Sequence, residues 1–368
     1  MKKALTAIVV IFIGLGLIVL FFLNNHFNFQ KRNKENPFPS PVSNLKQKDK
    51  VKEKKSIFVP YWINFAQPLD ITDYDRVIYF GLDVTEYGVN KTDAGYNNIE
   101  KFAAQVDGQE KYLTIKMLNN ETNSIILKNP SSWQKIIDDA VNIAVNYRFN
   151  GLVLDLEMGS LLFDDLVKRS NQFVQYFFNH AKGQNLRFAL TVYGDNFYRR
   201  RFYDLAKLSR NSDEIMIMAY DFHKSSGEPG PNFPLGGREK YDYDFRLMIE
   251  DFSRAVPYEK LTVIFGMYGY DWAVDEKKRP IRPAKALSLA EIKKQFIESC
   301  QWQDCVIKRD PLSRETEVNY IISEMNGNFA NLYYHIVWFE DEQSVEAKTQ
   351  YLLEKGIGGI GYWAYGYF

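Results

Sequence analysis

Eight short runs of apolar and β-branched residues, separated by longer amphipathic segments, constrain this chain more than any other feature. They are FVPYWI from Phe58, VIYFGL from Val77, YLTIKM from Tyr112, GLVLDLE from Gly151, RFALTVY from Arg187, EIMIMAY from Glu214, LTVIFGMY from Leu261 and GIGGIGYW from Gly356. Runs of this length read as buried strands. Their alternation with helical segments predicts an α/β fold, a parallel sheet closed into a (β/α)8 TIM barrel. The helices carry their own punctuation: Ser131 and Ser132 precede the apolar-periodic WQKIIDDAVNIAV, and Gly183 and Gly356 stand just past the ends of two others. The longest gap, about residues 273–333, holds Pro280, Pro283, Pro311 and a helix-like LSLAEIKKQFIESC. It reads as a small insertion between strands 7 and 8, standing on the catalytic face and walling one side of a groove.

Ahead of the barrel, Ala4 to Leu23 carries no charge over the length needed to cross about 30 Å of hydrocarbon as a helix. The run exceeds a usual export-signal core of about 7 to 15 residues and no A-x-A site follows, so a single-pass signal anchor over residues 1–24 is expected. Lys2 and Lys3 favour a cytoplasmic N-terminus, although Lys31, Arg32, Lys34 and the lysines from Lys46 to Lys55 make the other side basic too. Residues 25–54, rich in Asn, Lys, Pro and Ser, have the composition of a solvated tether. The expected organisation is anchor, tether and a barrel over residues 55–368, on the extracellular side of the cell membrane.

The 46 basic and 46 acidic residues balance, which argues against a nucleic-acid partner and favours a neutral ligand. Aromatics make up 15% of the chain, and flat rings with polar edges suit stacking on sugars, though core packing explains many of them equally. Cys300 and Cys305 are the two cysteines; a local disulfide and two free thiols both remain open. Neither a glycine-rich phosphate loop nor an H-E-x-x-H zinc motif occurs, so no cofactor and no metal are expected.

The fourth run carries the chemistry. Strand alternation sends Leu152, Leu154 and Leu156 one way and Val153, Asp155 and Glu157 the other. The leucines belong against the helices, so the two carboxylates point into the barrel mouth, where desolvation and repulsion raise the pKa of at least one. An acid that keeps its proton near neutrality can protonate a glycosidic oxygen. The competing reading is a buried acid pair satisfied by lysine or backbone donors.

NGLVLDLE, Asn150 to Glu157, resembles the DGxDxDxE signature of family-18 glycoside hydrolases, with Asn150 and Val153 departing from it. The resemblance implies that Glu157 protonates the leaving oxygen while Asp155 orients the substrate's own acetamido group, which attacks the anomeric carbon in place of an enzyme nucleophile. MAYDF, Met218 to Phe222, resembles the family's sixth-strand motif; it gives Tyr220 a hydrogen bond to the acetamido oxygen and places Asp221 and Met218 in the same pocket. YGYDW from Tyr268 and the segment Val337 to Trp363 resemble the spore-germination and cortex-lytic glucosaminidase branch, in which Trp363 would floor the scissile-sugar subsite. Tyr268 and Tyr61 complete the implied substrate-binding set. Strand-end aromatics also serve as core, and Asp271 or Asp341 can cap a loop.

Two departures bear on function. KMLNN, Lys116 to Asn120, stands where many chitinases have an SxGG-like turn. Val153 replaces a deeper acid that would share a proton with Asp155, and a valine neither shares nor relays one. The expected activity is a monomeric, substrate-assisted retaining hydrolase of β-1,4-linked N-acetylglucosamine polysaccharide, peptidoglycan before chitin. The alternatives are a chitinase and a non-catalytic glycan-binding barrel.

Overall fold

The computed structural model of the chain describes residues 51–159, 164–326 and 329–368. The Ala4–Leu23 run and the tether up to residue 50 lie outside the described residues; among those described, no helix is long and apolar enough to cross a membrane.

The eight expected strands are all present: β1 (Lys54–Pro60), β2 (Arg76–Thr85), β3 (Glu110–Met117), β4 (Gly151–Leu156), β5 (Arg187–Tyr193), β6 (Glu214–Ala219), β7 (Leu261–Gly266) and β8 (Gly359–Trp363). Each pairs in parallel with the next, and β8 pairs with β1, which closes the barrel. Inward positions form one apolar ring of Phe58, Ile78, Phe80, Tyr112, Val153, Ala189, Met216, Met218 and Ile264. Outward positions such as Leu152, Leu154 and Leu156 join the larger core under the helices. Among these helices are α1 (Pro130–Asn146), α2 (Asp164–Gly183), α3 (Phe245–Ser253) and α4 (Glu342–Lys355).

The helix signals need some correction. Asn129, not the Ser131-Ser132 pair, caps α1: its side chain accepts from the Ser131 amide, and Pro130 occupies the first helical position, where no N–H is needed. Gly183 is the last residue of α2, while Gly356 ends α4 in the left-handed region at φ 91°. Asp341 caps α4 through a reciprocal bond with Ser344.

The seventh run is two elements. β7 stops at Gly266, and Tyr268–Val274 opens a separate antiparallel sheet with Lys285–Ser288, Gln303–Arg309, Thr316–Asn326 and Phe329–Phe339. The inserted sheet therefore begins before residue 273 and continues past residue 333. Ser288 caps its short helix, and Cys300 and Cys305 are joined by a disulfide.

Two buried ionic clusters brace the frame. At the base of the barrel Arg76 makes paired bonds of 2.6 and 2.7 Å to Glu214, across from β2 to β6. Beneath the insertion, the fully buried Lys348 of α4 joins Glu340 and Glu315, and Glu315 in turn accepts the backbone N–H groups of Asn232 and Phe233. Asn232 Oδ1 accepts the backbone N–H of Asp221 at 2.7 Å, so the insertion is fastened to the segment that follows β6.

Candidate active site

β4 begins at Gly151 because a Cβ there would sit 2.8 Å from the Arg187 carbonyl oxygen and 2.7 Å from the Tyr112 ring. Asn150 beside it accepts the Lys111 backbone N–H through its side-chain oxygen at 2.7 Å, a bond an amide oxygen makes as readily as a carboxylate. From this anchored start the strand carries Asp155, 3% exposed, to the C-terminal mouth, with Glu157 just beyond its end.

β5 supplies the partners of both acids, and neither was singled out from the sequence. The Thr191 hydroxyl donates to Asp155 Oδ1, and the Tyr193 hydroxyl donates to Glu157 Oε2 at 2.6 Å. Burial, followed by the adjacent Glu157 charge, pushes the Asp155 carboxyl up to about 8. Burial also raises Glu157, against the opposing pull of the Tyr193 hydrogen bond. Two acids desolvated side by side cannot both ionise cheaply, so the pair holds one proton into the neutral range.

Below them Val153 is fully buried in the inner ring. Its register partner on β3 is Thr114, whose buried hydroxyl has no hydrogen-bond partner among the described residues. One row higher, Lys116 is in register with Asp155. The Lys116 ammonium is 5% exposed, lies 3.0 Å from Asp83 and sits 4.3 Å from the Tyr61 ring centroid. A cavity of about 230 Å³ opens beside it, lined by Asp83, Asn119, Thr122 and Asn123 among others.

β6 delivers Tyr220 and Asp221 to the same mouth. Burial pushes the Tyr220 hydroxyl well above its ordinary value, and the charges of Asp155 and Glu157 add to this, so it stays a donor. Asp221 adopts a left-handed backbone at φ 57°, a conformation that costs on the order of 1 kcal/mol outside glycine and is held here by Asn232. Its Oδ1 accepts from both Tyr268 and Tyr270, the latter at 2.7 Å. Tyr268 is thus buried behind Asp221 as its support, and Met218 is part of the inner ring. Asp271 is tied to His335 and Tyr320 within the inserted sheet, at 2.8 Å each.

Opposite these groups, Trp363 ends β8, its half-buried indole edge-on to Phe80 at 4.6 Å and to Trp62 at 6.3 Å. Trp62, 49% exposed, is a second indole at the mouth; the sequence reading placed only its neighbour Tyr61 there. Among the described residues, no group of three or more His, Cys, Asp and Glu side chains is arranged to hold a metal ion.

A closed eight-stranded barrel with a desolvated acid pair at the C-terminal ends of its strands, faced by indoles, places the chain in the class of (β/α)8 barrels with an acidic site at the mouth. More particularly, the chain belongs to glycosyl hydrolases family 18, whose model matches residues 34–367. It is 25% identical over 246 residues to YdhD of Bacillus subtilis, named provisionally as a sporulation-specific glycosylase, covering 65% of this chain and 52% of that protein. It is 24% identical over 255 residues to the cortical fragment-lytic enzyme of Bacillus anthracis, covering 67% and 53%. The chain therefore spans about half the length of these curated relatives. The class V chitinase of Nicotiana tobaccum has the same fold, with a TM-score of 0.71 at 17% identity over 85% of this chain and 94% of that one.

Proposed function

We propose that the chain is a retaining hydrolase of β-1,4-linked N-acetylglucosamine in peptidoglycan, held at the outer side of a membrane by its N-terminal apolar run. The observation that carries the reading is the Asp155–Glu157 pair, set together at the barrel mouth with burial pushing both carboxyls up. The names of the relatives favour wall glycan over chitin.

In this mechanism the scissile sugar lies over Trp363. Glu157 donates its proton to the glycosidic oxygen as that bond breaks, and the acetamido carbonyl oxygen attacks the anomeric carbon from the opposite face. Asp155 accepts the acetamido N–H and balances the positive oxazolinium ion that results. Tyr220 donates to the acetamido oxygen and orients it. Glu157, now ionised, removes a proton from the water that opens the ring, giving net retention. Tyr193 holds Glu157 in place through both steps.

Val153 favours a second reading, a glycan-binding barrel without turnover, because the deeper proton-sharing acid is absent. The two are separated by measuring new reducing ends from purified peptidoglycan and from chitin oligomers, using the full chain in detergent beside Glu157→Gln. Hydrolysis is expected from the wild type, with a loss of about 10²-fold or more in the variant. Binding of glycan with no release from either protein would establish the non-catalytic reading instead.

A further inference from the structure

The rim of the mouth beyond Glu157 carries more positive charge than the fold uses. Arg199, Arg200 and Arg201 follow one another after β5, and two of them share one buried carboxylate: Asp195 lies 2.5 Å from Arg199 and 2.7 Å from Arg201. Two guanidinium groups on a single acid leave one positive charge uncompensated. Lys224, in the segment after β6, is half-buried and has no carboxylate partner among the described residues. Both cations gather on the ring of Tyr193, the residue that holds Glu157: Arg201 is 4.2 Å from its centroid and the Lys224 ammonium 5.9 Å.

In the ring of eight strands, β8, β1 and β2 bring Trp363, Trp62 and Phe80 to one side, and β5 and β6 bring Tyr193 and Lys224 to the other. A leaving sugar protonated by Glu157 would lie beside the Tyr193 ring that holds that acid, and the Lys224 ammonium stands 5.9 Å from the same ring. The cations do not help the acid itself. Burial pushes Glu157 up, whereas Lys224 and Arg201 pull it back down, which works against a group that must keep its proton. Their presence fits a compensating anion on the substrate.

We propose that Lys224, backed by the surplus guanidinium charge of Arg199 and Arg201, forms a subsite for a carboxylate on the leaving-side sugar, such as the lactyl group of a muramic acid residue. The enzyme then selects anionic wall glycan over neutral chitin by charge at this position. The inference rests on the hydrolase reading above and names the specificity device of the same site.

The test uses three substrates of equal length: peptide-free wall glycan strands with free lactyl carboxylates, the same strands capped as methylamides, and chitin oligomers. The full chain in detergent is expected to show about a fivefold higher kcat/KM on the free strands than on the capped ones at low salt, carried in KM and shrinking as salt is added. Lys224→Met brings that ratio near one, Lys224→Arg retains it, and Lys224→Glu inverts it. Equal rates on free and capped strands in the wild type, or an unchanged ratio in Lys224→Met, overturn the inference and leave the hydrolase reading standing. Silence on all three substrates overturns the hydrolase reading, and this inference falls with it.

Discussion

Replacing Lys116 with methionine tests whether its ammonium tunes the acid pair. Lys116 and Asp155 are register partners on adjacent strands, both directed into the barrel, and neighbouring strands lie about 4.8 Å apart. Charges on two such side chains are about 6 Å apart, and at an effective dielectric of about 20 the attraction is roughly 2.8 kcal/mol, or about two pH units. Asp83, 3.0 Å from the ammonium, takes a share of that charge, so roughly one unit is a fair expectation. The sign follows from which form the cation favours. Lys116 stabilises ionised Asp155, so removing it lets the pair keep its proton to higher pH. In the proposed mechanism activity requires that proton on Glu157, and the basic limb of kcat/KM, expected near the value of about 8 set by burial and the Glu157 charge, should move up by about one unit. The assay is reducing-end release across pH 5 to pH 10 (roughly the range over which such a pair titrates), with thermal unfolding of wild type and variant at each pH. A limb that stays in place or moves down refutes the coupling and assigns the Lys116 charge to Asp83 alone.

Three further outcomes follow from the same packing. Asp155 has a folded-state pKa raised by burial above its unfolded value, so it withdraws stability as pH rises from the ordinary carboxylate range toward about 8. Asp155→Asn should therefore gain roughly 2–5 kcal/mol in urea unfolding near that upper pH and almost nothing near pH 4; a gain independent of pH refutes the assignment. Val153→Asp puts a carboxyl opposite the unpartnered Thr114 hydroxyl and should cost about 1–3 kcal/mol, whereas adding Thr114→Val costs about 1 kcal/mol in that background and almost nothing in the wild type; additive effects in the cycle would show that the two side chains do not meet. Arg76→Met strands Glu214 in the barrel base and should lower stability by about 3–5 kcal/mol at neutral pH, with a smaller loss in acid: Arg76 overcomes the burial penalty and holds that carboxyl below its ordinary range, so the pair's contribution fades as pH falls.

Much of this frame was legible because barrel strands obey one local rule. The alternation that put Asp155 and Glu157 inside also puts Thr191 and Tyr193 inside, since they continue the inward row of Ala189 on β5. They escaped notice because a threonine and a tyrosine in a β-rich run look like ordinary strand formers, and only the neighbouring acids give them a role. Arg76 and Glu214 are 138 positions apart and meet only because the barrel closes, so no local pattern announces them. The seventh run misled for a different reason. Its apolar pattern continues through Met267 into the inserted sheet, while the backbone turns there: Met267 N–H bonds to the Trp363 carbonyl at 2.7 Å, and the pairing changes from parallel to antiparallel. Periodicity records that residues are buried, not which sheet buries them.

The two departures from the family signature look alike in the sequence and differ in consequence. Asn150 makes a bond that an acid there could also make, because accepting the Lys111 N–H needs an oxygen and not a charge. Val153 does not. A valine stands beneath Asp155, with Thr114 as its register partner, so the proton that a deeper acid would share has no carboxylate to go to below. Control of the Asp155 charge then falls to groups beside it in the same layer: the Thr191 hydroxyl on one strand, Lys116 on the other and Glu157 just above. Lys116 stands in KMLNN, the segment that departs from the chitinase turn, and so that departure and Val153 form one arrangement: where the vertical partner of Asp155 is lost, a lateral cation is present.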